Sequence, residues 1–399
     1  MGEKMKNNTA VANQMQVPQA VLDFRKQFPI FEKQVHLANN SKGALSHAVI
    51  AAHKEYLDSW MHEGAPWGLW VSKQEALRAA FAKMIGAQTH EVAVCPSATL
   101  GLATVASCFD YKKRSALAFD DFSFPSVTYL WHAQTMRGAQ IRRVHADGKN
   151  EIPVEAFDHV FDERLQFLSV AHVCYKNGHR MDLPKLARRC HNVGALFVVD
   201  DYQSCGSRLL NVKEADIDVL ITGTVKFLLG SAGVALMYVR EELLEELHPT
   251  ITGWFGQENP NDFQVERHVE AKDARRFQNG TPAIPSVYDS LAGLTLVETI
   301  GLEAIGHWID SLTAQLTARL CEEGFVLSTP LDPAKRGPQV AIRSHDPVEA
   351  VRELARQNII ATSRDNNIRV AFHYYNTPGD IEALIDAIKK LKGLMLVKQ

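Results

Sequence analysis

The sequence is poor in the features that mark nucleic-acid-binding, membrane and disulfide-linked proteins. Its net charge is −3 and it has no long run of Lys or Arg, so it predicts no nucleic-acid or membrane-surface partner. No stretch approaches the roughly 18–20 apolar residues that a membrane helix needs. Its six cysteines include no CxxC pair, which argues against disulfides and a zinc site. We therefore expect a cytoplasmic protein with reduced thiols, no metal and a small-molecule substrate.

The apolar runs in the middle of the chain predict an α/β fold. Runs at 168–173, 195–199, 219–222 and 233–239 suit strands buried on both faces, and a helical pattern at 183–192 lies among them. Strands that alternate with helices favour βαβ units around a mostly parallel sheet. Further upstream, the capping box Ser72-Lys-Gln-Glu75 predicts a helix that begins at Ser72 and ends at Gly86.

The last third of the chain predicts a smaller α+β domain. Helical patterns at 285–321, 348–357 and 378–392 enclose short β-like pieces at 339–342 and 367–371. Because a single hydrophobic core usually stops growing near ~250–300 residues, we expect two domains. The predicted parts are an N-terminal tail or arm at 1–35, a large domain at 36–284 and the small domain at 285–399. The polar segment 1–16 predicts a loose tail and not a signal peptide.

Two polar residues stand at the ends of buried strands. Asp200 ends the run Leu196-Phe-Val-Val-Asp200, and Lys226 follows the uncharged stretch 219–225. Ligands of open α/β sheets bind beyond the carboxyl ends of the strands, where a carboxylate could pair with a pyridinium nitrogen. Desolvation lowers the pKa of a lysine and so favours an imine-forming amine. A helix cap for Asp200 and a surface amine for Lys226 are the alternatives.

The turn Ser97-Ala98-Thr99 precedes another apolar series with helical spacing. The N-terminus of a helix presents backbone N–H groups and a positive dipole, to which a phosphate binds. The turn therefore predicts either a phosphate site or a plain Ser/Thr helix cap.

Three longer segments carry the most specific pattern of the chain. They are Ala195-Leu-Phe-Val-Val-Asp-Asp-Tyr-Gln-Ser-Cys-Gly206, Asp216-Ile-Asp-Val-Leu-Ile-Thr-Gly-Thr-Val-Lys-Phe-Leu-Leu-Gly230 and Gly233-Val-Ala-Leu-Met-Tyr-Val239. Together they resemble the cofactor core of the class V aminotransferases and cysteine desulfurase-like enzymes. The resemblance spans nearly the whole chain. It implies the PLP-dependent transferase fold type I, with a seven-stranded sheet, and pyridoxal 5'-phosphate (PLP) as the cofactor.

The resemblance also assigns residues to the cofactor. It implies Lys226 as the catalytic Schiff-base lysine, Asp200 as the partner of the pyridine nitrogen, and Gln203 as a neighbour of the ring hydroxyl. The segment Phe122-Ser-Phe-Pro-Ser126 is similar to a kynureninase segment whose aromatic residue stacks on the ring, which implicates Phe124. The family often has His before the lysine, where this chain has Val225. The remaining residues that the resemblance assigns to the cofactor are Ala98, Thr99, Tyr175, Thr224, Gly280 and Thr281.

The substrate residues follow from the same resemblance. Arg369 is expected to bind the substrate α-carboxylate, since its guanidinium offers two parallel donors. His373 is either a proton donor or a structural histidine. The motif Phe277-Gln-Asn-Gly-Thr-Pro282 implies that Thr281 reaches the phosphate of the neighbouring subunit, and hence a homodimer with shared active sites. The other residues implicated in substrate binding are Asn40, Ser41 and Trp254.

The expected reaction begins with a Schiff base between PLP and a small amino acid, from whose Cα Lys226 removes a proton. Residues 344–367 contain no cysteine, which argues against a cysteine desulfurase. Kynureninase-like features at Phe124, Trp254 and Asn40-Ser41 favour a lyase that cleaves a C–S, C–N or C–C bond of the side chain. An aminotransferase that uses a keto acid is the first alternative, and an epimerase or racemase the second.

Two other classes of protein share part of this pattern. A nicotinamide-dependent oxidoreductase would need a G-x-G-x-x-G after a strand, which the sequence lacks. A non-catalytic regulatory protein with the same fold would need a lost lysine or an attached DNA-binding module, and Lys226 is present.

Overall fold

The computed structural model describes residues 16–146, 148, 150–263 and 265–398, so all but the last residue of the predicted tail at 1–16 lies outside the described part. The described strands are β1 (Val35–His36), β2 (Val92–Cys95), β3 (Ala116–Asp120), β4 (Gln140–Val144), β5 (Leu165–Ala171), β6 (Leu196–Asp200), β7 (Val219–Gly223), β8 (Ala235–Val239), β9 (Gln339–Arg343), β10 (Ile359–Ile360), β11 (Thr362–Arg364) and β12 (Asn367–Ala371). The described α-helices are α1 (Gln19–Arg25), α2 (His47–Glu63), α3 (Trp67–Ile85), α4 (Ala98–Ala106), α5 (Pro125–Ala133), α6 (Leu183–Asn192), α7 (Ile284–Ile300), α8 (Leu302–Glu322), α9 (Pro347–Arg356) and α10 (Pro378–Lys390).

Seven strands form a central sheet in the order β2-β8-β7-β6-β5-β3-β4. The strands from β7 to β4 all run parallel, whereas β8 is antiparallel to both of its neighbours. Alternate side chains of β3 pack into two different hydrophobic cores, Ala118 on one face of the sheet and Phe119 on the other. The predicted α/β fold with a mostly parallel seven-stranded sheet is confirmed. Its strands are apolar runs, which must be buried on both faces of the sheet.

Helix caps explain most of the helix boundaries. Asp182 accepts a hydrogen bond from the backbone of Lys185 at the start of α6, and Asp346 does the same at the start of α9. Thr377 forms a capping box with Asp380 at the start of α10. The helical pattern at 285–321 divides into α7 and α8 at Gly301, whose φ of 87° no helix accommodates.

The predicted start of α3 at Ser72 is wrong. The helix begins at Trp67, and the Ser72 hydroxyl donates to the carbonyl of Leu69 inside it. Trp70 is buried and its Nε1 donates to Ser59 of α2 at 3.0 Å. Packing between α2 and α3 therefore extends the helix beyond the local capping signal.

The small sheet of the C-terminal region has the order β11-β12-β9 and is antiparallel. The N-terminal arm packs against this region, since β1 pairs with β10 and Phe28 contacts Tyr375 at 4.6 Å between ring centres. One hydrophobic core unites these residues. Among the described residues, no helix is both long and apolar enough to cross a lipid bilayer.

All strands of the central sheet except β8 have their carboxyl ends at one edge, β4 included. Strands β3, β5, β6 and β7 are parallel, and β2 shares their direction because β8 opposes both β2 and β7. The segments that leave this edge begin at Cys95, Asp120, Val144, Ala171, Asp200 and Gly223. In an open α/β sheet this is the edge at which ligands bind.

Candidate functional site

A cavity of about 330 Å³ opens at this edge. Most of the residues predicted to hold the cofactor contribute to its wall. The lining residues are Ser41, Ser97, Ala98, Thr99, Phe122, Phe124, Ser126, Val127, Ala171, Val173, Tyr175, Asp200, Tyr202, Gln203, Val225 and Lys226.

Lys226 and Asp200 form the charged pair of the cavity. Burial lowers the pKa of the Lys226 amine to about 8, an effect that Asp200 opposes and Arg369 reinforces. Burial likewise raises the pKa of the Asp200 carboxyl to about 6, against a hydrogen bond from the backbone of Tyr202 and the charge of Lys226. The lowered pKa increases the neutral fraction of Lys226 at neutral pH, and the neutral amine is the form that makes an imine.

The turn at Ser97 is both a helix cap and a wall of the cavity. The Ser97 hydroxyl accepts from the backbone N–H of Leu100 at 3.1 Å, so the side chain caps α4. Ala98 and Thr99 line the cavity as the first residues of α4. Because the first N–H groups of a helix have no partner within it, they are available to a phosphate.

Aromatic rings flank the amine of Lys226. Its Nζ lies 6.0 Å from the centre of the Phe124 ring and 4.5 Å from that of Tyr202. Tyr175 contacts Phe124 at 5.1 Å with their planes at 77°. Sequence reasoning assigned no role to Tyr202, although its place between Asp200 and Gln203 was a signal that could have found it.

Two residues predicted to bind the substrate, Arg369 and Asn40, belong to a hydrogen-bonded network. Arg369 Nη1 donates to the carbonyl of Tyr175 at 2.6 Å, and Gln339 Nε2 donates to the same carbonyl at 3.1 Å. Asn40 Nδ2 donates to Gln339 Oε1, and the carbonyl of Asn40 accepts from Gln203 Nε2. Among the described residues, the buried Nε of Arg369 has no hydrogen-bond partner. Ser41 lines the cavity beside this network.

Two residues outside the predicted set hold this network and the Asp200 segment in place. The sequence analysis did not predict Gln339, although a polar residue at the start of a short buried strand was a signal that could have found it. Behind Asp200, His172 Nδ1 lies 2.7 Å from Asp201 Oδ1, and the backbone N–H of His172 donates to the carbonyl of Asp200. These contacts hold the backbone of the Asp200 segment in place.

His373 and Thr224 lie outside the cavity lining. The Nε2 of His373 lies 2.9 Å from the Phe227 carbonyl, and its Nδ1 accepts from the backbone of Tyr374. The ring is fully buried, and burial lowers its pKa to about 4, which favours the structural alternative over a proton donor. The Thr224 hydroxyl donates to the Ser231 carbonyl and accepts from the Ser290 hydroxyl.

The remaining predicted residues lie on a separate surface. Gly280 and Thr281 are exposed and do not line the cavity of their own chain. Trp254 packs against Phe255 and lies 6.4 Å from Trp67 between ring centres. The structure thus brings the Lys226 group together and leaves these residues apart from it.

The cavity fits PLP on four counts. It holds a desolvated amine, a buried carboxylate, a helix N-terminus suited to a phosphate, and an aromatic ring beside the amine. The cofactor, when bound, supplies an electron sink for charge that develops at Cα.

Comparisons with known proteins show the family of the chain. The family model described as aminotransferase class-V matches residues 35–384. An uncharacterized aminotransferase of Bacillus subtilis (strain 168), YcbU, is 36% identical over 366 residues, which cover 92% of this chain and 96% of that protein. A kynureninase of Bacillus cereus (strain ATCC 10987 / NRS 248) is 26% identical over 390 residues, which cover 92% and 91%.

Among solved structures, the apo cysteine desulfurase from Thermococcus onnurineus NA1 has a TM-score of 0.85 at 23% identity, with 95% of this chain and 99% of that chain covered. This likeness confirms the fold. The match to the family model and the relative at 36% identity go further. The chain is therefore a member of the class V aminotransferase family and a PLP-dependent enzyme.

Proposed function

We propose that Lys226 binds PLP covalently and that the enzyme is a lyase that removes a side-chain substituent from a small amino acid by cleaving a C–S, C–N or C–C bond. The observation that carries this proposal is the position of the Lys226 amine, desolvated and shared by one cavity with Asp200. Arg369 lies close enough to affect the pKa of this amine.

Each of these residues has a distinct task in the proposed reaction. Arg369 binds the substrate carboxylate through its guanidinium and so orients the Cα–H bond towards Lys226. The neutral amine of Lys226 accepts the Cα proton. Asp200, ionised at neutral pH, stabilises a proton on the pyridine nitrogen. For a C–S or C–N bond, departure of the side-chain substituent with its bonding electrons, protonated by the ammonium group of Lys226, would then complete an elimination.

The cysteine content of the site supports a reaction other than desulfuration. Residues 344–367 contain no cysteine. Burial raises the pKa of Cys174 to about 12 and that of Cys205 well above its ordinary value, so neither thiol is a reactive nucleophile. The similarity to kynureninases along most of the chain supports a lyase.

An aminotransferase is the second candidate, and an epimerase or racemase the third. The relative at 36% identity that is named an aminotransferase favours the second. We also propose a cytoplasmic homodimer in which Thr281, exposed in the single chain, reaches the cofactor of the neighbouring subunit.

The attachment of the cofactor is tested with Lys226→Ala and with Lys42→Ala, a change at an exposed lysine on the nearby loop. After borohydride reduction, wild type and Lys42→Ala should gain the mass of reduced PLP on the peptide that contains Lys226. Lys226→Ala should gain none. A reducible adduct that persists in Lys226→Ala would overturn the assignment.

The reaction type is tested by incubating the holoenzyme with a panel of amino acids, with and without a keto acid. A lyase should release ammonia, or a side-chain fragment, without an acceptor. Turnover only in the presence of the keto acid would replace the lyase with an aminotransferase. Loss of optical activity without release of a product would replace it with a racemase.

A further inference from the structure

We propose that Tyr202 is a cofactor-binding residue whose ring stacks on the pyridine ring of PLP, on the face opposite to the one that Phe124 covers. This inference rests on the proposed attachment of PLP to Lys226. The pyridine ring would then lie between two aromatic side chains, Phe124 and Tyr202.

Tyr202 is held beside the position that the pyridine ring must occupy. When PLP is bound, Asp200 would pair with the ring nitrogen, and Lys226 would bond the carbon substituent on the opposite side of the ring. The ring would therefore span the space between these two side chains. The backbone N–H of Tyr202 donates to Asp200 Oδ1 at 3.0 Å, and the Tyr202 ring centre lies 4.5 Å from Lys226 Nζ. The phenol is therefore close to both ends of that space.

Phe124 borders the same space from another direction. Its ring centre lies 6.0 Å from Lys226 Nζ, and it is 39% exposed although it lines a cavity. Tyr175 supports the Phe124 ring at 5.1 Å. An aromatic side chain that is held in place but left exposed to a cavity is suited to stacking on a flat ligand.

The end of β7 is shaped to admit the phenol of Tyr202. A Cβ atom on Gly223 would lie 2.0 Å from Tyr202 Cζ and 2.1 Å from its hydroxyl oxygen. Any residue other than glycine would push the ring from its place. The close approach shows that Tyr202 and Gly223 form one unit at the carboxyl ends of β6 and β7.

The charge of the cofactor favours such a stack. A pyridinium nitrogen paired with Asp200 makes the ring electron-poor, and the face of a phenol is electron-rich. Attraction between a cationic ring and an aromatic face strengthens when both are desolvated. Tyr202 is partly buried, and burial followed by the Asp200 charge raises its pKa, so it remains a neutral phenol at working pH.

The first experiment compares Tyr202→Phe, which keeps the ring, with Tyr202→Leu, which has no ring. The dissociation constant for PLP is measured by titration of the apoenzyme followed through the visible absorbance of bound PLP. Tyr202→Phe should bind within about twofold of wild type, and Tyr202→Leu should bind about 3- to 10-fold more weakly with a shifted absorbance maximum. Equal melting temperatures of the apo forms establish that both variants fold.

A second pair of variants tests the role of Gly223 without removing the ring. Gly223→Ala should weaken PLP binding in the wild-type background, because the added methyl displaces the phenol. The same change should have little effect in Tyr202→Leu, because leucine lacks the atoms that the methyl would strike. This non-additivity measures the coupling of the two residues.

The outcomes separate the stack from the cofactor attachment. If Tyr202→Leu binds PLP with the affinity and absorbance of wild type, the stack is refuted while the reducible adduct on Lys226 still forms. If wild type forms no adduct on Lys226, the proposed function itself fails.

Discussion

Asn40 and Gln339 are 299 positions apart in the chain, and the Asn40 side-chain amide donates a hydrogen bond of 2.9 Å to the Gln339 side chain. Gln339 also donates to the carbonyls of Cys174 and Tyr175, at 3.3 and 3.1 Å. Arg369 donates to the same Tyr175 carbonyl. A single buried side chain thus ties the N-terminal loop and Arg369 to strand β9.

We expect Gln339→Leu to lower substrate affinity more than turnover. The leucine leaves the amide of Asn40 without its acceptor, which costs about 1–3 kcal/mol for a buried polar group. The KM for the best substrate of the amino-acid panel should rise about tenfold, with kcat changed little. Steady-state kinetics and the apo melting temperature measure the two effects. A loss confined to kcat would contradict a positioning role.

Arg369→Lys should impair substrate binding severely. Lysine keeps the charge but loses the planar fork that binds a carboxylate in two parallel bonds. We expect a rise in KM of roughly 30- to 100-fold, equivalent to about 2–3 kcal/mol. Arg364→Lys, at an exposed position nearby, is the matched control and should behave as wild type. Equal kinetics for the two variants would exclude Arg369 as the carboxylate ligand.

The Lys226 amine should destabilise the apoenzyme in a pH-dependent way. Burial lowers its pKa to about 8 from an ordinary value near 10.5, so the folded state binds this proton less tightly than the unfolded state. Below pH 8 the charged amine therefore costs stability, and the cost disappears as the pH rises from about 8 to 10.5.

Lys226→Met should accordingly stabilise the apoenzyme at pH 7 by about 1–3 kcal/mol, a range reduced for the partial exposure of the amine. The gain should shrink towards zero near pH 10.5. Denaturant unfolding of both forms across this pH range provides the measurement. Lys33→Met, at an exposed lysine, is the control and should show no such trend. A gain that does not change with pH would show that packing, and not charge, is responsible.

His373→Phe should affect folding more than catalysis. The imidazole bonds the carbonyl of Phe227, the residue after Lys226, and loss of that bond should cost about 1–3 kcal/mol of stability. Burial lowers the pKa of His373 to about 4, so the ring is neutral at working pH. The pH profile of kcat should therefore keep its shape in the variant. Disappearance of an apparent pKa from that profile would identify His373 as a proton donor.

The order of predicted strands and helices agreed with the structure in most of the chain because their signals are local. Strand β12 and helix α6 occupy the predicted positions, since an apolar run or an Asp-Leu-Pro cap is enough to define them. The start of α3 was wrong for the opposite reason. Burial of Trp70 against Ser59 is a contact between helices, and it outweighed the capping box at Ser72.

The active-site residues divide in the same way. The motif around Asp200 and Lys226 could be recognised in the sequence because Asp200 ends buried strand β6 and Lys226 lies three residues after buried strand β7. The carboxyl ends of these two strands share one edge of the sheet. The direction of a side chain could not be predicted from the sequence, because it depends on hydrogen-bond partners that are distant in the chain. For Thr224, predicted to bind the cofactor, the sequence did not indicate the hydrogen bonds of its hydroxyl with Ser231 and Ser290.

The sequence by itself determined the α/β fold, the family and the positions of Lys226 and Asp200, because each depends on short runs of neighbouring residues. Only the tertiary structure decided which side chains complete the site. Gln339 and Tyr202 join it through contacts with Asn40 and Gly223, and contacts of that kind arise only when separate strands and loops fold together.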